Sequence, residues 1–167
     1  MSFVLTKKLP TPMEIKELYP VSEELAALKA EKDQELIDII TGASDKFMVI
    51  IGPCSADNEE AVCDYIGRLA KVQEKVKDKL FIIPRVYTNK PRTTGKGYKG
   101  MLHQPDPEKK PDLLQGLITI RQMFLKIMED TGFPLADEML YPENARYFSD
   151  CLSYVAVGAR SVEDQQH

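Results

Sequence analysis

KFMVIIGPCSAD, residues 46–57, runs through five consecutive apolar side chains and stops abruptly on Gly52-Pro53. Phe47-Met48-Val49-Ile50-Ile51 shows no alternation of polar and apolar residues, which suits a short strand covered on both faces. The same design recurs along the chain: Leu80 to Val86, Pro134 to Leu140 and Tyr154 to Gly158 read as three further buried strands. Between them lie apolar residues at helical spacing. Val62, Tyr65, Leu69, Val72 and Val76 mark one helix, with Asp57 or Asn58 as its cap. Leu113, Leu117, Ile120, Phe124 and Ile127 mark a second. Pro142 to Leu152 is expected to form a third, with Pro142 in its first turn. Ser161 caps a fourth that begins with Glu163 and Asp164.

Strands alternating with helices imply parallel βαβ units, hence an α/β fold. Two closures fit: a doubly wound open sheet, or a (β/α)₈ barrel, which usually needs about 250 residues. Only four βα units are visible in 167 residues, and the last helix has barely begun at His167. The chain therefore reads as a fragment, or as a half that needs a complement. Residues 1–44 read as an N-terminal extension. Its prolines at 10, 12 and 20 predict extended or turning backbone. A helix follows, capped by Ser22, striped with Leu25, Leu28, Leu36 and Ile40 and stopped at Gly42. Residues 45–167 then form the barrel portion, truncated at the start of the helix after the fourth strand.

Composition narrows the function classes. The chain is 43% hydrophobic and 29% charged, with a net charge of −4, which argues against a general nucleic-acid binder. No apolar run approaches the ~20 residues of a membrane span, and MSFVLTKKLPTP has no apolar core of a signal peptide. The cysteines, Cys54, Cys63 and Cys151, are odd in number and lack CxxC spacing, so reduced thiols in the cytoplasm are expected.

In such folds chemistry sits at the C-terminal ends of strands. Those ends read IGPCSAD, PRVYTNKPRTTGKG, ADEML and VGARS, which gather Cys54, Arg85, Lys90, Arg92, Thr93, Thr94, Glu138 and Arg160. Lys90, Arg92, Lys96 and Lys99 share one loop, where Gly95, Gly97 and Gly100 let the backbone approach a ligand. A basic cluster in a net-acidic chain predicts a small anionic ligand carrying phosphate and carboxylate. A Lys/Arg-rich loop is otherwise a solvated surface, but Arg85 and Arg160 follow apolar runs and need partners. Cys54 stays open between core residue, metal ligand and nucleophile. Cys63 and Cys151 fall on helices and read as structural. Asp137 and Glu138 could position a substrate, move a proton, or pair with an arginine.

These strand ends, in this order, resemble the type I 3-deoxy-D-arabino-heptulosonate-7-phosphate (DAHP) synthases. The carrying motifs are IGPCS (51–55), PRVYTNKPRTTGKGYKG (84–100), GARS (158–161) followed by EDQ, and IKELYP (15–20). The resemblance covers essentially the whole chain and corresponds to the N-terminal half of that family's barrel. It implies condensation of phosphoenolpyruvate with erythrose 4-phosphate, the first step of the shikimate pathway, with release of phosphate. By motif match, Arg85, Lys90 and Arg160, with Gly158 and Ala159, align with the phosphoenolpyruvate site. Pro91, Arg92 and Thr93 align with the erythrose 4-phosphate site. Lys90 and Glu138 align with catalytic positions, and Cys54 with a ligand of a divalent metal ion (Mn, Fe, Co or Zn). The family's other metal ligands lie in the second half of the barrel, so the site is incomplete here and the chain alone is expected to be inactive. A homo-oligomer and feedback by an aromatic amino acid are also implied.

Two other readings compete. One is a non-catalytic half barrel that binds a phosphorylated ligand or a partner. The other is a Schiff-base aldolase using Lys90. Four βα units would also leave two open sheet edges and an uncovered inner face, so self-association is expected.

Overall fold

The computed structural model describes residues 8–90, 97–139 and 142–157. Helix α1 (Pro12–Leu18) and helix α2 (Glu23–Ile40) precede strand β1 (Phe47–Ile51). Helix α3 (Glu59–Val76), strand β2 (Leu80–Pro84), helix α4 (Leu113–Thr131) and strand β3 (Leu135–Met139) follow. A 3-10 turn (Pro142–Asn144), the short helix α5 (Ala145–Phe148) and strand β4 (Leu152–Val157) complete the described chain. The architecture is α/β with parallel strands. β1 pairs with β2 from Phe47↔Leu80 to Ile51↔Pro84, and β3 pairs with β4. A parallel bridge between Arg85 and Ala136 joins the two pairs, and the Val86 N–H donates to the Ala136 carbonyl at 2.8 Å. The backbone just past β2 thus changes partner from β1 to β3.

The alternation of side chains sorts the strands onto two faces. Val49, Ile82, Leu135, Met139 and Leu152 point into a core shared with Val62 and Ile66 of α3 and with Leu117, Ile120, Phe124 and Ile127 of α4. The opposite face carries Met48, Ile50, Phe81, Ile83, Ala136 and Tyr154, and it packs against Leu36 and Ile39 of α2. The expected bare inner face is therefore partly covered. α2 is amphipathic enough to floor it, and the Lys46–Glu35 ion pair ties that helix to the start of β1. Apolar surface remains open on β1 and β4, where Phe47 and Val157 are 71% and 56% exposed. Among the described residues, no helix is long and apolar enough to cross a membrane.

Three local expectations need correction. Residues 12–18 are helical rather than extended. Thr11 accepts from the Glu14 N–H while Glu14 reaches back to the Thr11 N–H, a capping box with Pro12 in the first turn. The helix expected over 142–152 shrinks to the 3-10 turn and α5. Arg121 explains why: its Nη1 donates to the Tyr147 carbonyl at 3.0 Å, and the Cys151 N–H donates to the Phe148 carbonyl instead. The chain is then released into β4 two residues earlier than expected. Finally, the loop after β2 is not wholly polar surface, because Met101 and Leu102 are buried. The helix capped by Ser161 lies outside the described residues. The other caps are as expected: Ser22 receives Leu25 N–H and Asn58 receives Ala61 N–H.

Candidate active site

The C-terminal ends of β1, β2 and β3 lie side by side, and they bring together Cys54, Arg85, Lys90 and Glu138. The first requirement is a close approach. A Cβ added at Gly52 would lie 2.1 Å from the Arg85 carbonyl oxygen, so only glycine lets the turn after β1 pass the end of β2. The Arg85 N–H closes that junction on the Ile51 carbonyl at 2.8 Å.

Arg85 then folds its guanidinium onto the same turn. Nη2 donates to the carbonyls of Gly52 and Pro53 at 3.0 Å each, and Nε donates to Pro53 at 3.2 Å. The guanidinium carbon stands 4.6 Å from the Tyr87 ring centre, a cation–π contact. The buried-arginine expectation is met in part. Arg85 is half-buried, and its partners in the structure are backbone carbonyls and an aromatic face.

That turn presents Cys54 to solvent, where Lys90 Nζ donates to its Sγ at 3.0 Å. The Lys90 hydrogen bond and charge, with a smaller contribution from Arg85, hold the Cys54 thiol below its ordinary range. Glu138 opposes this, which places its carboxylate within electrostatic reach of the thiol. The other cysteines behave differently. Burial raises the Cys63 thiol and pushes Cys151 up to about 12, in keeping with structural roles. Cys54 is thus an exposed thiol whose ionisation the Lys90 ammonium favours, a fit for a soft-metal ligand. One thiolate is not a metal site, and among the described residues no three His, Cys, Asp or Glu side chains come together as a ligand set.

Beneath this cluster lies a network that the sequence reading left open. Asp137 is fully buried and accepts from the Thr88 N–H at 3.0 Å, the Thr88 hydroxyl at 2.6 Å and the Glu138 N–H at 2.7 Å. Burial pushes its carboxyl up to about 7, against the pull of those donors. Its described partners are a threonine and backbone, not an arginine. Asn89 is also buried, and its Oδ1 has no partner among the described residues. The signal for this network was an aspartate inside the apolar run Leu135 to Leu140, opposite a threonine just past β2.

On the far side the same segment rests on the returning loop. The Lys90 N–H donates to the Lys99 carbonyl and the Leu102 N–H to the Thr88 carbonyl, each at 3.2 Å. Gly100, at φ 92°, permits that contact, since a Cβ there would lie 2.6 Å from the Thr88 oxygen. Pro91, Arg92, Thr93, Thr94, Gly95, Lys96, Gly158, Ala159 and Arg160 lie outside the described residues.

With this geometry in hand, the chain can be compared with known proteins. Residues 18–167 match the model of the DAHP synthetase I family. A phenylalanine-inhibited phospho-2-dehydro-3-deoxyheptonate aldolase of Saccharomyces cerevisiae is 39% identical over 149 residues, covering 89% of this chain and 40% of the yeast protein. The phospho-2-dehydro-3-deoxyheptonate aldolase of Haemophilus influenzae is 41% identical over 156 residues, covering 93% of this chain and 42% of its own. The solved structure of the Francisella tularensis aldolase of the same name superposes with a TM-score of 0.88 at 30% identity. It covers 99% of this chain and 48% of that one. The chain spans less than half the length of these relatives.

Proposed function

Because this chain belongs to the DAHP synthetase I family, we propose that it is the phosphoenolpyruvate-binding half of a DAHP synthase barrel. Its four parallel strands would be the first half of a (β/α)₈ barrel, residues 45–167, preceded by an extension over residues 1–44. The complete enzyme would condense phosphoenolpyruvate with erythrose 4-phosphate, a transferase reaction at the entry to aromatic amino acid biosynthesis. Carbon 3 of phosphoenolpyruvate attacks the aldehyde, water adds at carbon 2, and phosphate leaves.

The observation that carries this reading is the convergence of Lys90 and Arg85 on the Cys54 turn at the strand ends. A planar guanidinium and a point ammonium on one rim suit a ligand with both carboxylate and phosphate. Arg85, Lys90, Gly158, Ala159 and Arg160 would hold phosphoenolpyruvate. Pro91, Arg92 and Thr93 would hold erythrose 4-phosphate, with Lys90 and Glu138 beside the reacting atoms. Cys54 would supply one thiolate to a divalent ion that acts as a Lewis acid. The remaining ligands would come from the complementary half, so the isolated chain would not turn over. The working enzyme would be a cytoplasmic homo-oligomer. Relatives from yeast and Escherichia coli are named phenylalanine-inhibited and Tyr-sensitive, which motivates an aromatic amino acid as feedback inhibitor.

A condensation assay with both substrates and Mn²⁺ tests the proposal. The isolated chain should form no DAHP, and adding the C-terminal half of a DAHP synthase should restore metal-dependent product. Robust turnover without metal, together with borohydride trapping of Lys90 by a carbonyl substrate, would instead establish the Schiff-base aldolase.

A further inference from the structure

Lys90 is a long, flexible cation on a loop, yet it meets Cys54 at hydrogen-bond distance. Holding such a side chain in one place costs conformational entropy unless its backbone is fixed first. The backbone two residues earlier is fixed from beneath. Asp137 accepts both the N–H and the hydroxyl of Thr88, and it does so in a fully buried position, where an unpaired carboxylate would be costly. The same carboxylate accepts the Glu138 N–H, so one buried group sets the orientation of two strand ends. From above, the Lys90 N–H bonds to Lys99 and the Thr88 carbonyl receives Leu102, which clamps residues 88–90 between β3 and the returning loop.

We propose that Asp137 is a positioning residue for Lys90: by holding Thr88 through two hydrogen bonds, it fixes the Lys90 ammonium against the Cys54 sulfur. The inference rests on the reading of the Lys90–Cys54 pair as the centre of the site. Asp137 touches no substrate. It acts through the Thr88-Asn89-Lys90 segment, and its polar grip replaces the apolar contact that a buried strand-end position would ordinarily make.

The experiment measures phosphoenolpyruvate binding to the full chain by isothermal titration at low salt, with urea unfolding as the check on the fold. Lys90→Ala sets the full effect, a loss of affinity of about threefold to tenfold. Asp137→Ala and Thr88→Val should each reproduce most of that loss. Asp137→Asn keeps an oxygen for the two N–H groups and an amide for the Thr88 hydroxyl, so it should retain the wild-type affinity. Should Asp137→Ala fail to fold, Thr88→Val alone carries the comparison.

Wild-type affinity in Asp137→Ala or Thr88→Val, in folded protein where Lys90→Ala does lose affinity, would overturn the positioning role and leave the site reading standing. Wild-type affinity in Lys90→Ala, or no binding by the wild-type chain, would remove Lys90 from the site, and with it both conclusions.

Discussion

Gly52→Ala should open the active-site end of the sheet, and the structure sets the scale. The new methyl would sit 2.1 Å from the Arg85 oxygen and 2.9 Å from the Arg85 Cβ. Reaching the 3.4 Å of ordinary van der Waals contact requires the two backbones to part by about 1.3 Å. The Arg85 N–H bond to Ile51, now 2.8 Å, cannot survive such a shift. Overpacking of this kind costs about 1–3 kcal/mol, and a lost backbone hydrogen bond adds about 1 kcal/mol. The guanidinium bonds to Gly52 and Pro53 would loosen as well. A total near 3 kcal/mol is expected, read in urea as a fall in midpoint of roughly 1.5 M for a slope near 2 kcal/mol/M. The same variant should free the Cys54 turn from Lys90 and slow alkylation of the thiol near neutral pH. A variant within about 0.5 kcal/mol of wild type, with unchanged Cys54 reactivity, would refute the close-approach role of Gly52.

Arg121→Met should cost about 2 kcal/mol in urea unfolding, since it leaves two carbonyls and the half-buried Asp150 carboxylate without their buried donor; a loss below about 0.5 kcal/mol would show that Asp150, Tyr19 and Tyr147 find other partners. Asp137 should make stability fall as pH rises: its carboxyl binds a proton more tightly folded than unfolded, so its contribution is full below about 4 and is lost as pH climbs to about 7. Asp137→Asn should remove roughly 2–4 kcal/mol of that decline, and parallel pH profiles for the two proteins would contradict the burial argument. The isolated chain should self-associate through the open surfaces of β1 and β4, where Phe47 and Val157 are exposed. Light scattering after size-exclusion chromatography should give a mass above one chain, and a compact monomer that binds no apolar dye would argue against open edges.

The strands were legible because each is a short apolar run ended by Gly, Pro or charge, a pattern set by burial on two faces. Both long central helices followed from apolar spacing, the first also from Asn58 at its start, whereas the Asp112 cap of the second emerged only in the structure. α1 was hidden by its prolines, although Pro12 occupies the one turn where proline is tolerated and Thr11-x-x-Glu14 marks the box. The early end of α5 was not readable locally, because it is imposed by Arg121, some 26 residues away in sequence. At the site, Cys54, Arg85, Lys90 and Glu138 stood out as polar residues at strand ends. The pairing of Lys90 with Cys54 and the grip of Asp137 on Thr88 did not, since both depend on which strands become neighbours. α2 as a floor for the inner face was likewise a tertiary fact: its stripe announced an apolar partner without saying which.

Isothermal titration of the chain with phosphoenolpyruvate at low salt bears most directly on the assignment. If Arg85, Lys90 and Arg160 hold phosphoenolpyruvate as proposed, the chain should bind it weakly, with a Kd of roughly 0.1–1 mM. It should bind inorganic phosphate more weakly, and an Arg85→Ala, Arg160→Ala double variant should lose the phosphoenolpyruvate heat. Equal affinity in that double variant, or no binding by the wild-type chain at several millimolar ligand, would contradict the placement of the phosphoenolpyruvate site in this half.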